Sequence, residues 1–215
     1  LMLVELGTKA IRLLPPEAAH NATLRLLTKG IGVPARAPHF PAGLSVTLPK
    51  SGLKFASPVG LAAGFDKNCE VPAAMAKFGF GFVECGTVTP NPQPGNPKPR
   101  LFRLEEDRAV INRMGFNNYG LDYFVRRLEK FDHGVPIGAN VGANKESTDR
   151  AQDYVAGIEA VAPQADYITI NISSPNTPGL RGLQDKASLT DLLARCGAAD
   201  RKGKPVFLKV APDLD

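Results

Sequence analysis

No run of 18 apolar residues occurs in this 215-residue chain, so no segment reads as a helix that crosses a bilayer. Cysteine is scarce. Cys69, Cys85 and Cys196 are odd in number, far apart and without CxxC spacing. That excludes a disulfide scaffold and a zinc site, and fits free thiols in a reducing compartment. The histidines His20, His39 and His133 are scattered and form no HExxH, so no metal is expected. GxxxxGK[ST] is missing, and no GxGxxG follows an apolar run, which argues against a nicotinamide-dinucleotide fold. Basic residues never come five in a row. With 26 Lys and Arg against 21 Asp and Glu, the net charge of +5 predicts no nucleic-acid partner. The N-terminus lacks the basic-then-apolar order of a signal peptide.

What is present is an ordinary globular composition, 43% hydrophobic and 22% charged. The first 40 residues differ from the rest. Leu3, Leu6, Ala10 and Leu13 share one helical face, opposite Glu5, Lys9 and Arg12. Pro15-Pro16 stops that helix and starts a second, with Leu24, Leu27 and Ile31 on one side and Asn21, Arg25 and Lys29 on the other. Such a pair either packs on the main domain, which the pattern alone favours, or lies in a membrane interface. Residues 34–43 read as a linker.

From residue 44 the pattern becomes a hairpin (44–48 and 53–56) followed by alternating strands and helices. Strands are expected at 59–63, 81–86, 136–141, 167–172 and 206–210, and helices at 71–78, 120–131, 148–161 and 189–199. Strands apolar throughout suggest a parallel sheet, either doubly wound or a (β/α)8 TIM barrel. Polar residues close every strand: Asp66-Lys67-Asn68, Thr87, Asn140, Asn171 to Asn176, and Lys209. A barrel gathers such ends on one rim, whereas a doubly wound sheet concentrates them at one switch point, so the barrel is expected. Five units fill about 150 residues and three more would take roughly 100. The expectation is therefore a C-terminally truncated barrel with only about its first five βα units present.

Two polar loops stand out, Asn112-Arg113-Met114-Gly115-Phe116-Asn117-Asn118 and Asn171-Ile172-Ser173-Ser174-Pro175-Asn176-Thr177. Asparagine offers one acceptor and two donors, which suits a planar imide or amide ligand. These residues also build ordinary turns. Two such loops on one rim beside Lys67 and Lys209 favour binding. Residues 90–99 hold five prolines, which excludes a helix or inner strand and leaves a spacer or a stiff frame.

Four strings resemble dihydroorotate dehydrogenase: Leu61-Ala62-Ala63-Gly64-Phe65-Asp66-Lys67, Glu84-Cys85-Gly86-Thr87-Val88-Thr89-Pro90, Asn112 to Asn117, and Asn171 to Leu180. The resemblance covers essentially the whole chain and is to the class 2, quinone-dependent branch. It implies FMN as cofactor, oxidation of dihydroorotate to orotate, electron transfer to a membrane quinone, and a place in de novo pyrimidine synthesis. It implies Ser174 as the base, where class 1 enzymes have Cys. Thr177 and a water near Phe116 would form the proton exit. FMN would meet Ala63, Gly64, Phe65, Asp66, Lys67, Thr87, Asn140, Asn171 and Lys209. Substrate would meet Lys67, Asn112, Arg113, Met114, Gly115, Phe116, Asn171 and Asn176. His20 and Arg103 would lie near the quinone. Residues 1–40 become a helical hood that docks on the membrane and surrounds a quinone tunnel, and residues 41–215 the N-terminal part of the FMN barrel. The location implied is the cytoplasmic face of the cell membrane, or the mitochondrial inner membrane in a eukaryote. Cys85 reads as a small buried hydrophobe. The chain alone is expected to bind FMN poorly, because the phosphate-holding units are missing. The alternatives are a soluble class 1-like flavoenzyme, or an inactive, non-catalytic membrane-attached remnant.

Overall fold

The computed structural model describes residues 2–129 and 134–212, with the side chains of residues 2–5 and 42 left aside. Helix α1 (Met2–Arg12) is followed by α2 (Pro16–Thr28), which starts at Pro16 because proline's fixed φ and missing N–H suit a first helical position. Helix α2 stops at Thr28, short of Ile31. Gly30 takes φ +75, Gly30 N donates to Leu27 O and Ile31 N to Leu26 O, which closes the last turn. Ile31 is therefore exposed instead of continuing the apolar face. The face expected for the first helix is exposed too, at Leu6 on α1 and at Leu13 just past its end. Leu24 and Leu27 of α2 join the main core.

The expected hairpin forms as β1 (Val46–Thr47) against β2 (Lys54–Phe55). The central sheet is parallel, with β3 (Val83–Val88), β6 (Ile137–Val141), β7 (Tyr167–Asn171) and β8 (Val206–Lys209) in that spatial order. Between β3 and β6 lie a second hairpin, β4 (Leu101–Leu104) with β5 (Ala109–Asn112), and helix α4 (Leu121–Leu128). Helices α3 (Pro72–Lys77), α5 (Arg150–Val161) and α6 (Lys186–Ala198) complete the βα alternation. The strand expected at 59–63 reduces to one parallel bridge, Leu61 to Val83, with Val59 O accepting from Gly81 N and Leu61 N and O pairing with Phe82 O and Glu84 N. It still occupies the β3 edge. The strand order therefore rises monotonically with sequence and has no switch point among the described residues. Helix α5 packs on both α4 and α6. This is the arrangement of a TIM-barrel-type enzyme and not of a doubly wound sheet.

The two sheet faces differ. Cys85, Ile137, Ala139, Val141, Ile168 and Ile170 point outward and are buried with Tyr154, Ile158 and Leu192 of the helices. The opposite face carries Glu84, Asn140, Tyr167, Thr169 and Asn171, as the register requires. A side chain at Gly138 would collide with the Tyr167 ring, so glycine there gives the ring its place. Asp149 caps α5 by accepting from Gln152 N, and Asp185 caps α6 by accepting from Ala187 N and Ser188 N, each worth about 1 kcal/mol. The Asp185 cap starts α6 at Lys186, three residues before the expected 189. Residues 130–131 of the expected fourth helix, and His133, lie outside the described residues.

Candidate active site

A cavity of about 380 Å³ opens above the C-terminal ends of the strands. Ala63, Gly64 and Lys67 line it from the turn after the first strand position, and Thr87 from the end of β3. Asn112, Met114, Gly115 and Phe116 come from the loop after β5. Asn171, Ser174 and Asn176 follow β7, and His20 reaches in from α2. The fold thus brings together both polar loops, the first lysine and the helix-pair histidine, from positions over 150 residues apart.

The cavity floor is a chain of side-chain hydrogen bonds. Thr87 Oγ1 donates to Asn140 Oδ1 at 2.6 Å. Asn171 Nδ2 donates to Thr87 Oγ1 at 2.9 Å and to Asn140 Oδ1 at 3.2 Å. Asn140 itself is fully buried and acts from behind Thr87 and Asn171. Ser173 N and Oγ both donate to Asn171 Oδ1, and Asn176 N donates to Ser174 Oγ, so the 173–176 turn is fixed to the strand end. Lys67 Nζ donates to Gly64 O at 2.6 Å. Burial, and then the Arg100 charge, bring the Lys67 ammonium down to about 8. Burial, and then the Lys67 charge, lower His20, whose ring lies 5.2 Å from that of Phe65.

The proline-rich segment is a frame. Arg100, buried, donates to Glu17 through Nε and Nη2 and to the carbonyls of Pro94 and Asn96 through Nη1. Asn96 Nδ2 in turn donates to Asn176 O and Arg113 O. Asn118 ties the loops further, donating to Thr89 Oγ1 and Phe116 O and accepting from Thr89 N and Gly120 N. Phe116, held at φ +55, closes one wall. Arg100 holds Glu17 below its ordinary range, through a hydrogen bond first and charge second.

Several expected site residues stand elsewhere. Asp66 is fully buried, and its carboxylate accepts from Glu70 N, Val71 N and the Cys85 thiol, shaping the turn into α3. Burial raises its pKa and the backbone bonds oppose that. Phe65 faces neighbouring cavities, not this one. Arg113 is exposed, its guanidinium donates to Pro99 O, and it does not line this cavity. Lys209 lines a separate 720 Å³ cavity on the polar sheet face, with Glu84 and Thr169. Thr177 is buried under the loop, and its hydroxyl has no hydrogen-bond partner. Arg103 donates to Arg12 O and Leu14 O, closing the end of α1. Sequence reasoning missed Glu84, Asn96 and the Glu17–Arg100 pair, and gave Asn118 no role of its own within its polar loop. For Glu84 a signal existed, a lone charge inside an apolar strand.

A second space, about 670 Å³ and apolar, lies between the helix pair and the barrel wall, lined by Ile11, Leu26, Leu27, Leu61, Phe65 and Phe80 among others. No described helix is long and apolar enough to cross a membrane.

The model of one protein family, described as dihydroorotate dehydrogenase, matches residues 44–215. A protein of Erythrobacter litoralis named dihydroorotate dehydrogenase (quinone) is 56% identical over 216 residues, covering 100% of this chain and 62% of the relative. One of Parvibaculum lavamentivorans with the same name is also 56% identical, covering 99% of this chain and 61% of the relative. The crystal structure of Eimeria tenella DHODH in complex with ferulenol superposes with a TM-score of 0.85 at 42% identity, covering 94% of this chain and 60% of that one. The chain thus spans about three fifths of the length of the curated relatives it matches.

Proposed function

Because the chain belongs to the dihydroorotate dehydrogenase family, we propose that its polar cavity oxidises dihydroorotate to orotate with FMN, and that the electrons pass to a membrane quinone in pyrimidine synthesis. One observation carries this reading: Lys67, Thr87, Asn171 and Ser174 converge with both asparagine loops on a single cavity. The residues suit a flavin. Gly64 sits at φ +114, and a Cβ there would enter open space at the cavity wall, so glycine keeps the wall clear for a flat ring. Ala63, Gly64, Lys67, Thr87, Asn140 and Asn171 would hold it, while Lys209 lines the neighbouring cavity on the next strand. When bound, FMN supplies the hydride acceptor.

The remaining chemistry falls to the chain. Asn112 and Asn176 present amides to the imide edges of the substrate, and Asn171, its amide engaged by Thr87, Asn140 and Ser173, braces them from the floor. The Lys67 ammonium, largely charged at neutral pH with its pKa near 8, meets the carboxylate. Ser174 takes the proton, a task that needs a dry, oriented hydroxyl. Its Oγ already accepts from Asn176 N. The unpartnered Thr177 hydroxyl lies three residues on, where it can carry the proton outward. Phe116 shields the wall. The apolar cavity beneath the helix pair supports quinone binding there, with His20 on the polar-cavity side of α2 and Arg103 at the end of α1 outside its lining. Leu13, 87% exposed, and Leu6, 56% exposed, next to Lys9 and Arg12, support peripheral docking of the hood on a membrane.

The test is anaerobic. Dihydroorotate added to the FMN-loaded protein should bleach the flavin band, and a short-chain quinone should restore it. A band that dithionite bleaches and dihydroorotate does not would refute the reading.

A further inference from the structure

Glu84 is the only charged residue in β3, which reads Val83-Glu84-Cys85-Gly86-Thr87-Val88. Its Oε1 accepts from Asn140 Nδ2 at 2.7 Å and its Oε2 from Thr169 Oγ1 at 2.9 Å. A carboxylate only accepts, whereas an amide has an accepting and a donating end that a half-turn exchanges. Facing the carboxylate, Asn140 must turn its NH2 toward Glu84, which leaves its Oδ1 toward the cavity. There it accepts from Thr87 and Asn171. Thr87, its proton committed, can only accept from Asn171. The NH2 of Asn171 is then held inward, and its Oδ1 is left for Ser173 N and Oγ. Glu84 is the acceptor-only end of this chain and Ser173 N–H its donor-only end, and the two agree on the sense of every bond between them.

We infer that Glu84 is a positioning residue: it fixes which way the amides of Asn140 and Asn171 face, and so the hydrogen-bonding pattern that the cavity floor offers to a planar ring with alternating carbonyl and N–H edges. Without an acceptor at position 84, Asn140 loses the partner for its NH2 and is free to turn over, and only Ser173 N–H still sets the sense from the far end. The inference rests on the proposed function only for its cofactor readout; the amide orientations are read without any ligand.

The experiment records the side-chain NH2 signals of Asn140 and Asn171 by 1H–15N NMR in cofactor-free protein, together with FMN affinity. Glu84→Gln keeps an acceptor for Asn140, and should leave both signals in place with FMN affinity within about threefold. Glu84→Leu removes it. Both amide signals should shift and exchange faster, and FMN should bind roughly tenfold more weakly, the order of one unmade buried bond. A residue that only props the sheet would lower stability without moving the Asn171 signal. If Glu84→Leu does not fold, the swap decides. Asn140→Asp alone sets two carboxylates together and should lose the Asn171 signal, and adding Glu84→Gln should restore it. An unmoved Asn171 signal in Glu84→Leu, or no restoration in the swap, overturns the inference. Amide signals that respond while FMN affinity stays unchanged would uphold Glu84's role and count against the flavin reading instead.

Discussion

The floor of the polar cavity and the helix pair above it are stabilised by opposite means. The floor stands on parallel strands whose outer faces are buried aliphatic residues, and its polar side chains satisfy one another from Glu84 to Ser173. The helix pair is held by Leu24 and Leu27 in the core and by the Glu17–Arg100 pair. It leaves an apolar space of 670 Å³ beneath it and Leu6 and Leu13 in the open. A site that must fix the direction of hydrogen bonds needs satisfied, crowded groups. A site that admits an apolar guest needs unfilled apolar surface. The two regions meet at His20, which lines the polar cavity from α2, and at Arg100, which links Glu17 to the loop bearing Asn176.

Four changes would break or sharpen that division. The largest effect is expected at the floor. Ser174→Ala should slow reduction of the flavin by dihydroorotate by roughly 10²- to 10⁴-fold, the usual worth of a general base, in stopped flow. Orotate affinity should change by less than about threefold, and an equal loss in both would make Ser174 a mere contact. Under the helix pair, Ile11→Glu places a charge in the apolar space. It should raise KM for the quinone roughly 100-fold and leave reduction by dihydroorotate intact.

At the junction, Glu17→Gln leaves the buried Arg100 guanidinium without its anion and should cost about 3 kcal/mol in urea unfolding. Because Arg100 lowers the Glu17 pKa, its stabilisation is complete above the ordinary value of 4.5 and is lost as pH falls through the lower folded value. The gap between wild type and variant should therefore close in acid. The smallest effect concerns Lys67. Orotate affinity should fall once pH passes about 8, by roughly tenfold at one unit above, and Lys67→Arg should remove that fall. Since burial lowers the Lys67 pKa, the unfolded chain holds the extra proton from about 8 upward, and this group makes stability rise with pH over that window.

Much of the floor was legible in the sequence because strand ends and loop asparagines are local features. Thr87, Asn171, Ser174, Asn176 and Lys67 meet as the strand periodicity places them. Side-chain direction was less legible. Arg113 and Asp66 sit in the right strings, yet Arg113 turns to the Pro99 carbonyl across the loop and Asp66 to the backbone N–H groups of Glu70 and Val71 in the turn that follows it, directions that a string of residue types does not carry. The β4–β5 hairpin escaped because neither strand alternates apolar with polar residues, β5 being exposed throughout, and its pairing is set by the turn at Arg108, φ +51. The role of the prolines at 90–99 appears only once Arg100 and Asn96 are seen to bind across to Glu17 and Asn176.

The most direct test of the division measures both half-reactions by stopped flow on the FMN-loaded wild type, Ser174→Ala and Ile11→Glu. The account predicts that Ser174→Ala slows only reduction by dihydroorotate and Ile11→Glu only reoxidation by the quinone. A variant that slows both half-reactions alike would contradict the separation of floor and helix pair.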